Sequence, residues 1–178
     1  LSGSEMVVLG WDPTDTHTTN FWEELYSNQL TTDNQNFDTG TITAKKYLWI
    51  QFFQTGMSGN GYLRFNSDSG TNYARRVSAN GGSDATVTSE TSAENALVGG
   101  TGHLTSFGNM FIINNSANEK LTISNTVYTT SSGAGNAPLR TEQVNKWANT
   151  SAQITSIQHT DSGTGFDTGS YLKVWGSD

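Results

Sequence analysis

The 178-residue sequence contains no cysteine and two prolines, and only 14% of its residues are charged. The absence of cysteine excludes disulfides and thiolate metal sites. Lys and Arg number 9 against 16 Asp and Glu, for a net charge of −7. The cations form no basic stripe, which disfavours nucleic-acid binding. No apolar run approaches the roughly 20 residues that a membrane-spanning helix needs, so membrane insertion is not predicted.

Small polar residues are abundant where charge is scarce. Gly, Ser, Thr and Asn make up nearly half of the sequence, and these residues are poor helix formers. Aromatic residues, at 11%, supply enough bulk for a core, which argues against disorder. No alternation of strands with helices is present. The predicted fold is all-β, an antiparallel β-sandwich of jelly-roll type with about ten short strands.

The strongest strand signals are two runs with a period of two. Residues 45–54 are apolar on both alternating faces, which predicts a central strand that is covered on both sides, Trp49 included. Residues 119–128 alternate between apolar and polar positions, which predicts a half-buried strand with Leu121 and Ile123 inward. The predicted core consists of Leu48, Ile50, Phe52, Ile112, Leu121, Ile123, Ile154, Leu172 and Val174.

The two ends of the sequence share a pattern. Residues 3–10 and 169–176 both read Gly-Ser, five strand residues and Gly. This echo predicts that residues 1–10 are a linking strand, either the end of a preceding repeat or a strand that pairs with a neighbouring subunit's sheet, and that residues 11–178 form a single β-sandwich domain. The alternative is a chance match of two Gly-bounded strands. The side chains predicted to serve assembly through the linking strand are Met6, Val7, Val8 and Leu9.

One short helix is predicted near the start of the domain, and the first residue is not methionine. Asn20 and Glu23 have the spacing of a helix capping box, which predicts a helix over Phe21–Tyr26. The start at Leu1 predicts a fragment or a processed chain.

Six separated segments, followed by the closing strand that starts at Gly169-Ser170, carry a resemblance that covers residues 21–176. They read FWEEL at 21–25, AKKYL at 44–48, RFNSDSGTNYAR at 64–75, NGG at 80–82, GAGNAP at 133–138 and KWANT at 146–150. In this order the sequence resembles repeated β domains of tailed-phage and marine viral structural proteins, and of related environmental microbial surface proteins. The resemblance implies a jelly-roll-like domain on a virion or outside the cell, used for attachment, decoration or fibre building. It implies no catalytic residues.

The sequence lacks the patterns that typify catalytic sites. His17, His103 and His159 lie far apart in segments rich in Thr, Gly and Ser, which predicts surface positions rather than a metal site. No Gly-x-Ser-x-Gly motif marks a serine nucleophile. Glu23 and Glu24 are adjacent, so they cannot face each other across one glycosidic bond. The sequence therefore predicts a non-enzymatic protein without a cofactor, unless calcium binds.

A calcium site is one alternative for the loop at residues 66–72. Asn66, Asp68 and Asn72 place oxygen ligands at alternate positions, as a calcium loop does. The segment lacks the repeated Asp and distal Glu of an EF-hand. The favoured interpretation is a tight turn in which Asp68 and Asn72 bond to their own backbone.

Two tryptophans and two arginines are further binding candidates. Trp147 and Trp175 are predicted to be exposed and to stack on glycan rings, although aromatic residues in small β domains are more often core. Arg64 and Arg75 are predicted to pair with carboxylates such as Asp68 or Glu142. Capture of an acidic glycan is the alternative for these arginines.

These features together predict a non-enzymatic structural or attachment module of a virion or extracellular surface fibre that assembles in arrays. Its predicted partners are neighbouring copies of itself or other virion or fibre subunits, together with cell-surface glycans. The alternative function is a carbohydrate-binding, lectin-like module. Exposed, coplanar aromatic rings in a groove would favour that alternative.

Overall fold

The computed structural model of the chain describes residues 21–96 and 104–178. Within these ranges the chain forms twelve β-strands and no helix, and thus no helix able to span a membrane. The strands are β1 Glu23–Gln29, β2 Phe37–Asp38, β3 Tyr47–Thr55, β4 Gly61–Phe65, β5 Tyr73–Ala79, β6 Ala85–Glu90, β7 Ala93–Ala96, β8 Thr105–Ile113, β9 Lys120–Thr129, β10 Leu139–Trp147, β11 Ile157–Asp161 and β12 Tyr171–Ser177.

The strands form two antiparallel sheets packed face to face, so the predicted β-sandwich is confirmed. Over the described ranges, the large sheet has eight strands in the order β1-β12-β3-β8-β9-β10-β5-β6, and the small sheet has the order β2-β11-β4-β7. The half-sheet β1-β12-β3-β8 and the small sheet together have the strand order of an eight-stranded jelly roll. The hairpins β5–β6 and β9–β10 are insertions into this scheme, and they widen the large sheet by four strands.

The core lies between the two sheets. Leu48, Ile50 and Phe52 of β3 are completely buried, and β12 contributes Leu172 and Val174 beside them. All of the predicted core residues are buried except two. The buried predicted residues are Leu48, Ile50, Phe52, Ile112, Ile154, Leu172 and Val174.

The prediction is wrong for Leu121 and Ile123, because β9 presents the opposite face to the core. Leu121 is 53% exposed and Ile123 is 60% exposed, whereas Ser124 between the sheets is buried. The register explains this orientation, because Ser124 pairs with Met110 of β8, which is itself an inward residue. A strand hydrogen-bonded along its whole length cannot slip by one residue without moving every side chain to the other face.

The predicted helix at Phe21–Tyr26 is also wrong. Strand β1 begins at Glu23 and pairs with β12, with a bulge between Glu24 and Tyr26. The backbone pairing with β12 outweighs the weak local helix preference of this segment. The proposed linking strand at residues 1–10 lies outside the described residues.

Candidate binding surface on the large sheet

The face of the large sheet that points away from the small sheet carries an extended apolar surface, called the outer face here. It is formed by alternate residues of five neighbouring strands, β12, β3, β8, β9 and β10, whose pairing aligns their side chains in rows across the sheet. Directly paired residues on one face of an antiparallel sheet lie side by side, so each row is a continuous strip.

Three rows define the outer face. The first, called the aromatic row, consists of Trp175, Trp49, Phe111, Ile123 and Val144. The second, called the amide row, consists of Lys173, Gln51, Asn109, Asn125 and Glu142. The third, called the distal row, consists of Tyr171, Phe53, Phe107, Val127 and Arg140.

The apolar members of this face are unusually exposed. Phe111 is 49% exposed and Val144 is 48% exposed, in addition to the outward Leu121 and Ile123. Single exposed apolar side chains are normal on protein surfaces, but a contiguous group over several strands marks an interaction site. The outer face is therefore the strongest candidate binding surface among the described residues.

The rings of the aromatic row stack on one another. Trp49 lies 4.5 Å from Trp175 and 5.8 Å from Phe111 between ring centroids, and the interplanar angles are 27° and 14°. Trp22 meets Trp49 edge to face at 6.0 Å. The indole Nε1 of Trp49 donates a hydrogen bond to Asn109 Oδ1 at 3.0 Å, which links the aromatic row to the amide row. The Trp49 ring therefore has a stacked aromatic neighbour on each side, Trp175 and Phe111.

An open groove of about 570 Å³ lies beside the aromatic row, on the side of the neighbouring row Tyr47, Ile113 and Leu121. Its walls are almost entirely apolar, and Phe21 and Trp22 close one side of it. The other wall residues include Tyr47, Phe111, Ile113, Leu121 and Ile123.

The charged residues of the outer face lie at its two margins. Lys173 ends the amide row on β12, where its Nζ lies 5.9 Å from the ring centroid of Trp175. Glu142 ends the same row on β10, where it pairs with Arg140 at 3.2 Å. Both members of that pair are more than half exposed, so the pair contributes little to stability and can reorganise. The amide row thus runs from a basic residue on β12 to an acidic residue on β10.

The loop proposed for calcium forms a closed hydrogen-bonded turn. The carboxylate of Asp68 accepts hydrogen bonds from Gly70 N at 2.8 Å, from Asn72 Nδ2 at 3.0 Å and from Trp147 Nε1 at 2.7 Å. Asn66 Oδ1 instead accepts from Thr155 N at 2.8 Å. The three candidate residues therefore do not converge, and N–H donors occupy the Asp68 oxygens that a cation would need.

Hydrogen bonding also fixes the ionisation of Asp68. Partial burial opposes the charged form, but the donors from Trp147, Asn72 and Gly70 outweigh it and lower the pKa of Asp68. The hydrogen bond from Trp147 Nε1 to Asp68 also explains how the Trp147 ring can be buried. The predicted exposure of Trp147 is wrong, because its ring is 1% exposed and packs against Tyr73 and Phe65. Trp147 is a core residue whose only polar atom is satisfied by Asp68.

Trp175 is part-exposed on the outer face, so of the two glycan candidates it alone lies on an accessible surface. The arginines have other partners than predicted. Arg64 donates from Nε to the carbonyl oxygen of Thr91, and Arg75 lies 3.7 Å from Glu90. Both contacts are local to the small sheet and the β5–β6 hairpin.

The prediction of a surface position is wrong for His159. Its imidazole is completely buried among Phe37, Phe52 and Phe166, at centroid distances of 6.1, 5.4 and 4.8 Å. The side chain of Gln54 contacts its Nε2 at 2.7 Å. Burial lowers the pKa of His159 to about 3, so the ring is neutral at physiological pH.

The described residues contain no group of three or more His, Asp or Glu side chains that could hold a metal ion. His17 and His103 lie outside the described residues, as do the assembly candidates Met6, Val7, Val8 and Leu9. No known protein-family model matches the chain, and no curated protein sequence matches it. Function is therefore inferred from the residues and their geometry.

Sequence reasoning missed most of the outer face. The signal was present in residues 47–53, where a second apolar face remained after the core face was assigned. It was also present in the alternation of β9, but that face was assigned to the core. The pairing of β3 with β8, and of β8 with β9, brings Trp49, Phe111 and Ile123 into one row.

Proposed function

We propose that this chain is a non-enzymatic structural or attachment module of a virion or extracellular surface fibre, and that it assembles with other protein subunits through the outer face. The observation that carries the proposal is the row of exposed apolar side chains across five adjacent strands. Folded domains keep contiguous apolar surface from water unless a partner covers it. Fibre and capsid subunits are such partners, and neighbouring copies of the chain are among them.

The ring geometry supports a protein partner over a sugar. Trp49 is sandwiched between Trp175 and Phe111, so the aromatic row offers ring edges and aliphatic groups rather than open ring faces. Ile123, Leu121 and Val144 extend the same surface without any ring at all. Interdigitating aliphatic and aromatic side chains are what two packed protein sheets use to form a core.

The test measures self-association of the full chain. Sedimentation velocity detects the oligomers, and electron microscopy detects arrays. Ile123→Lys places a charge in the middle of the aromatic row and is expected to abolish association. Tyr62→Lys introduces the same charge on the small sheet and serves as the matched control, because Tyr62 is part-exposed away from the outer face. Equal association of Ile123→Lys and the unaltered chain would refute the outer face as the assembly surface.

A carbohydrate-binding module is the second candidate, and one observation favours it. The amide row places Gln51, Asn109 and Asn125 between two rows of aromatic residues, and amides are the groups that bond sugar hydroxyls. Binding of soluble glycans that is lost in Trp175→Ala, together with a full chain that stays monomeric, would favour this candidate over the first. Cell-surface glycan would then be the partner.

A further inference from the structure

We infer that the partner on the outer face is a second copy of this chain, packed face to face about a two-fold axis that runs nearly parallel to β8. The inference rests on the proposed function, because it names the subunit that covers the same surface. It comes from the order of side chains along the rows, which is complementary to itself when the row is reversed.

Strand β8 is the middle of seven strands, β1-β12-β3-β8-β9-β10-β5. A two-fold axis along β8 leaves each row facing the same row of the partner, in reversed order. Strand β12 then faces β10 of the second copy, β3 faces β9, and β1 faces β5. An isologous contact of this kind requires that residue i meets residue j while j meets i.

The amide row satisfies that requirement with charge. With β1 and β5 included, it reads Ser27, Lys173, Gln51, Asn109, Asn125, Glu142 and Ser78. Reversal about Asn109 places Lys173 opposite Glu142 of the second copy. Gln51 lies opposite Asn125, and serine lies opposite serine. Each charged or amide side chain therefore meets a group that can accept from it or donate to it.

The aromatic row is also complementary to its own reversed order, in both side-chain size and charge. It reads Glu24, Trp175, Trp49, Phe111, Ile123, Val144 and Arg76. Reversal about Phe111 places the two large indoles opposite the two aliphatic side chains, which is the alternation of large and small groups that fills a packed layer. It also places Glu24 opposite Arg76 of the second copy. Within its own chain Arg76 pairs with Asp84 at 3.6 Å, and both of these side chains are more than half exposed.

The distal row follows the same scheme. Reversal about Phe107 places Tyr171 opposite Arg140, and Phe53 opposite Val127. A guanidinium over a phenol ring is a favourable contact. The aromatic and distal rows thus oppose aromatic residues of β12 and β3 to the aliphatic or charged residues of β9 and β10, and the amide row opposes Lys173 to Glu142.

The size of the face suits a dimer. Seven strands about 4.8 Å apart span about 29 Å, and the rows extend about 20 Å along the strands, so each copy offers about 600 Å². Two copies would bury about 1,200 Å², at the lower end of specific protein interfaces. Facing sheets pack about 10 Å apart, which Lys and Glu side chains together can bridge.

The test uses charge reversal, because the two partners of the key contact cannot meet within one chain. Lys173 and Glu142 lie four strands apart, about 19 Å. Lys173→Glu is expected to weaken dimerisation of the full chain about tenfold, since it faces Glu142 of the second copy twice in each dimer. Arg64→Glu changes the net charge equally on the small sheet and is the matched control, expected to dimerise as the unaltered chain does.

Two combinations of charge-reversal variants test whether Lys173 faces Glu142 of the second copy. The double variant Lys173→Glu, Glu142→Lys is expected to regain the affinity of the unaltered chain. A mixture of the two single variants is expected to form heterodimers in preference to either homodimer, since both cross-contacts are then attractive. Thermal unfolding of each variant under dissociating dilution checks that the monomers remain folded, and sedimentation equilibrium measures affinity.

The outcomes separate the two proposals. If Ile123→Lys abolishes association but the double variant and the mixture show no recovery, the two-fold register is overturned and the outer face remains the assembly surface. If Ile123→Lys leaves association unchanged, the proposed surface itself is wrong. A full chain that is monomeric at all concentrations, or dimers that form only after residues 1–20 are removed, would also overturn the two-fold pairing.

Discussion

Mild acid should destabilise this fold through protonation of a buried side chain, His159. The imidazole is buried among three phenylalanine rings and meets the side chain of Gln54, and this burial disfavours its charged form. Ser106 Oγ donates to Gln54 Oε1 at 2.6 Å and fixes the amide, leaving its Nε2 to donate to a neutral imidazole nitrogen. Protonation of His159 would break this arrangement inside the core.

The sign and the size follow from the two pKa values. The folded state holds His159 at a pKa of about 3, whereas the unfolded chain has the ordinary value of 6.5. The unfolded state therefore binds more protons below pH 6.5, so stability falls as the pH falls through 6.5 and continues to fall until about pH 3. Between pH 7 and pH 5 the loss is about 2 kcal/mol, because each pH unit below 6.5 costs about 1.4 kcal/mol.

The assay is urea unfolding of the full chain at a series of pH values from 7 to 5. His159→Gln retains a hydrogen-bonding side chain beside Gln54 but cannot titrate, so its pH dependence should be flatter by about 2 kcal/mol over this range. His17 and His103 are present in both proteins and cancel. The same slope in both proteins would refute the assignment of His159 as a buried neutral base.

Three further predictions concern the orientation of β9 and the Asp68 turn. At concentrations where the chain is monomeric, Ile123→Ala should lower the free energy of unfolding by less than about 1 kcal/mol, whereas Ile112→Ala should cost about 2–5 kcal/mol; equal losses in urea titrations would contradict the outward position of Ile123. Trp147→Phe keeps a core ring but removes the donor to Asp68, so it should cost about 1–3 kcal/mol. Millimolar calcium should not raise the melting temperature of the unaltered chain, and a rise that Asp68→Asn abolishes would show that a cation displaces the N–H donors.

The jelly-roll strands could be predicted from sequence because local pattern and tertiary environment agree in them. In β12 the inward Leu172 and Val174 alternate with the part-exposed Tyr171, Lys173 and Trp175, so alternation gives both the strand and its orientation. In β3 both alternating faces are apolar, so the pattern predicts the strand and the buried Leu48, but the prediction that Trp49 is also covered is wrong, because Trp49 lies part-exposed on the outer face. The composition, rich in turn formers, was sufficient for the fold class.

The β9–β10 hairpin was not predictable in the same way. Alternation shows that a strand has two unlike faces, but it does not show which of them meets the core. In β9 the inward face is polar, and in β10 Thr141, Gln143 and Asn145 continue it, so β10 gave no apolar signal and was not predicted. Leu121 and Ile123 point outward and so add little to the stability of the monomer. Apolar side chains on the outward face of β9 therefore indicate that a partner covers them.

The candidate site depended on long-range pairing for the same reason. Trp49 and Trp175 were recognised as aromatic residues, but their contact is set by a register that joins strands more than a hundred residues apart. Trp147 has a similar local setting to Trp175 in sequence, yet one is buried and the other is part-exposed. Only the position of each strand in the sheet separates them.

The place of β12 between β1 and β3 has a consequence for how the protein is made. Both of its neighbours are synthesised well over a hundred residues earlier, so while the ribosome translates the intervening chain the half-sheet has a gap the width of one strand. Contacts of such long sequence separation fold slowly. Until Leu172 and Val174 arrive, the inner edge of β3 is open to pairing with other nascent chains, and a premature stop after Gly169 would leave it open permanently.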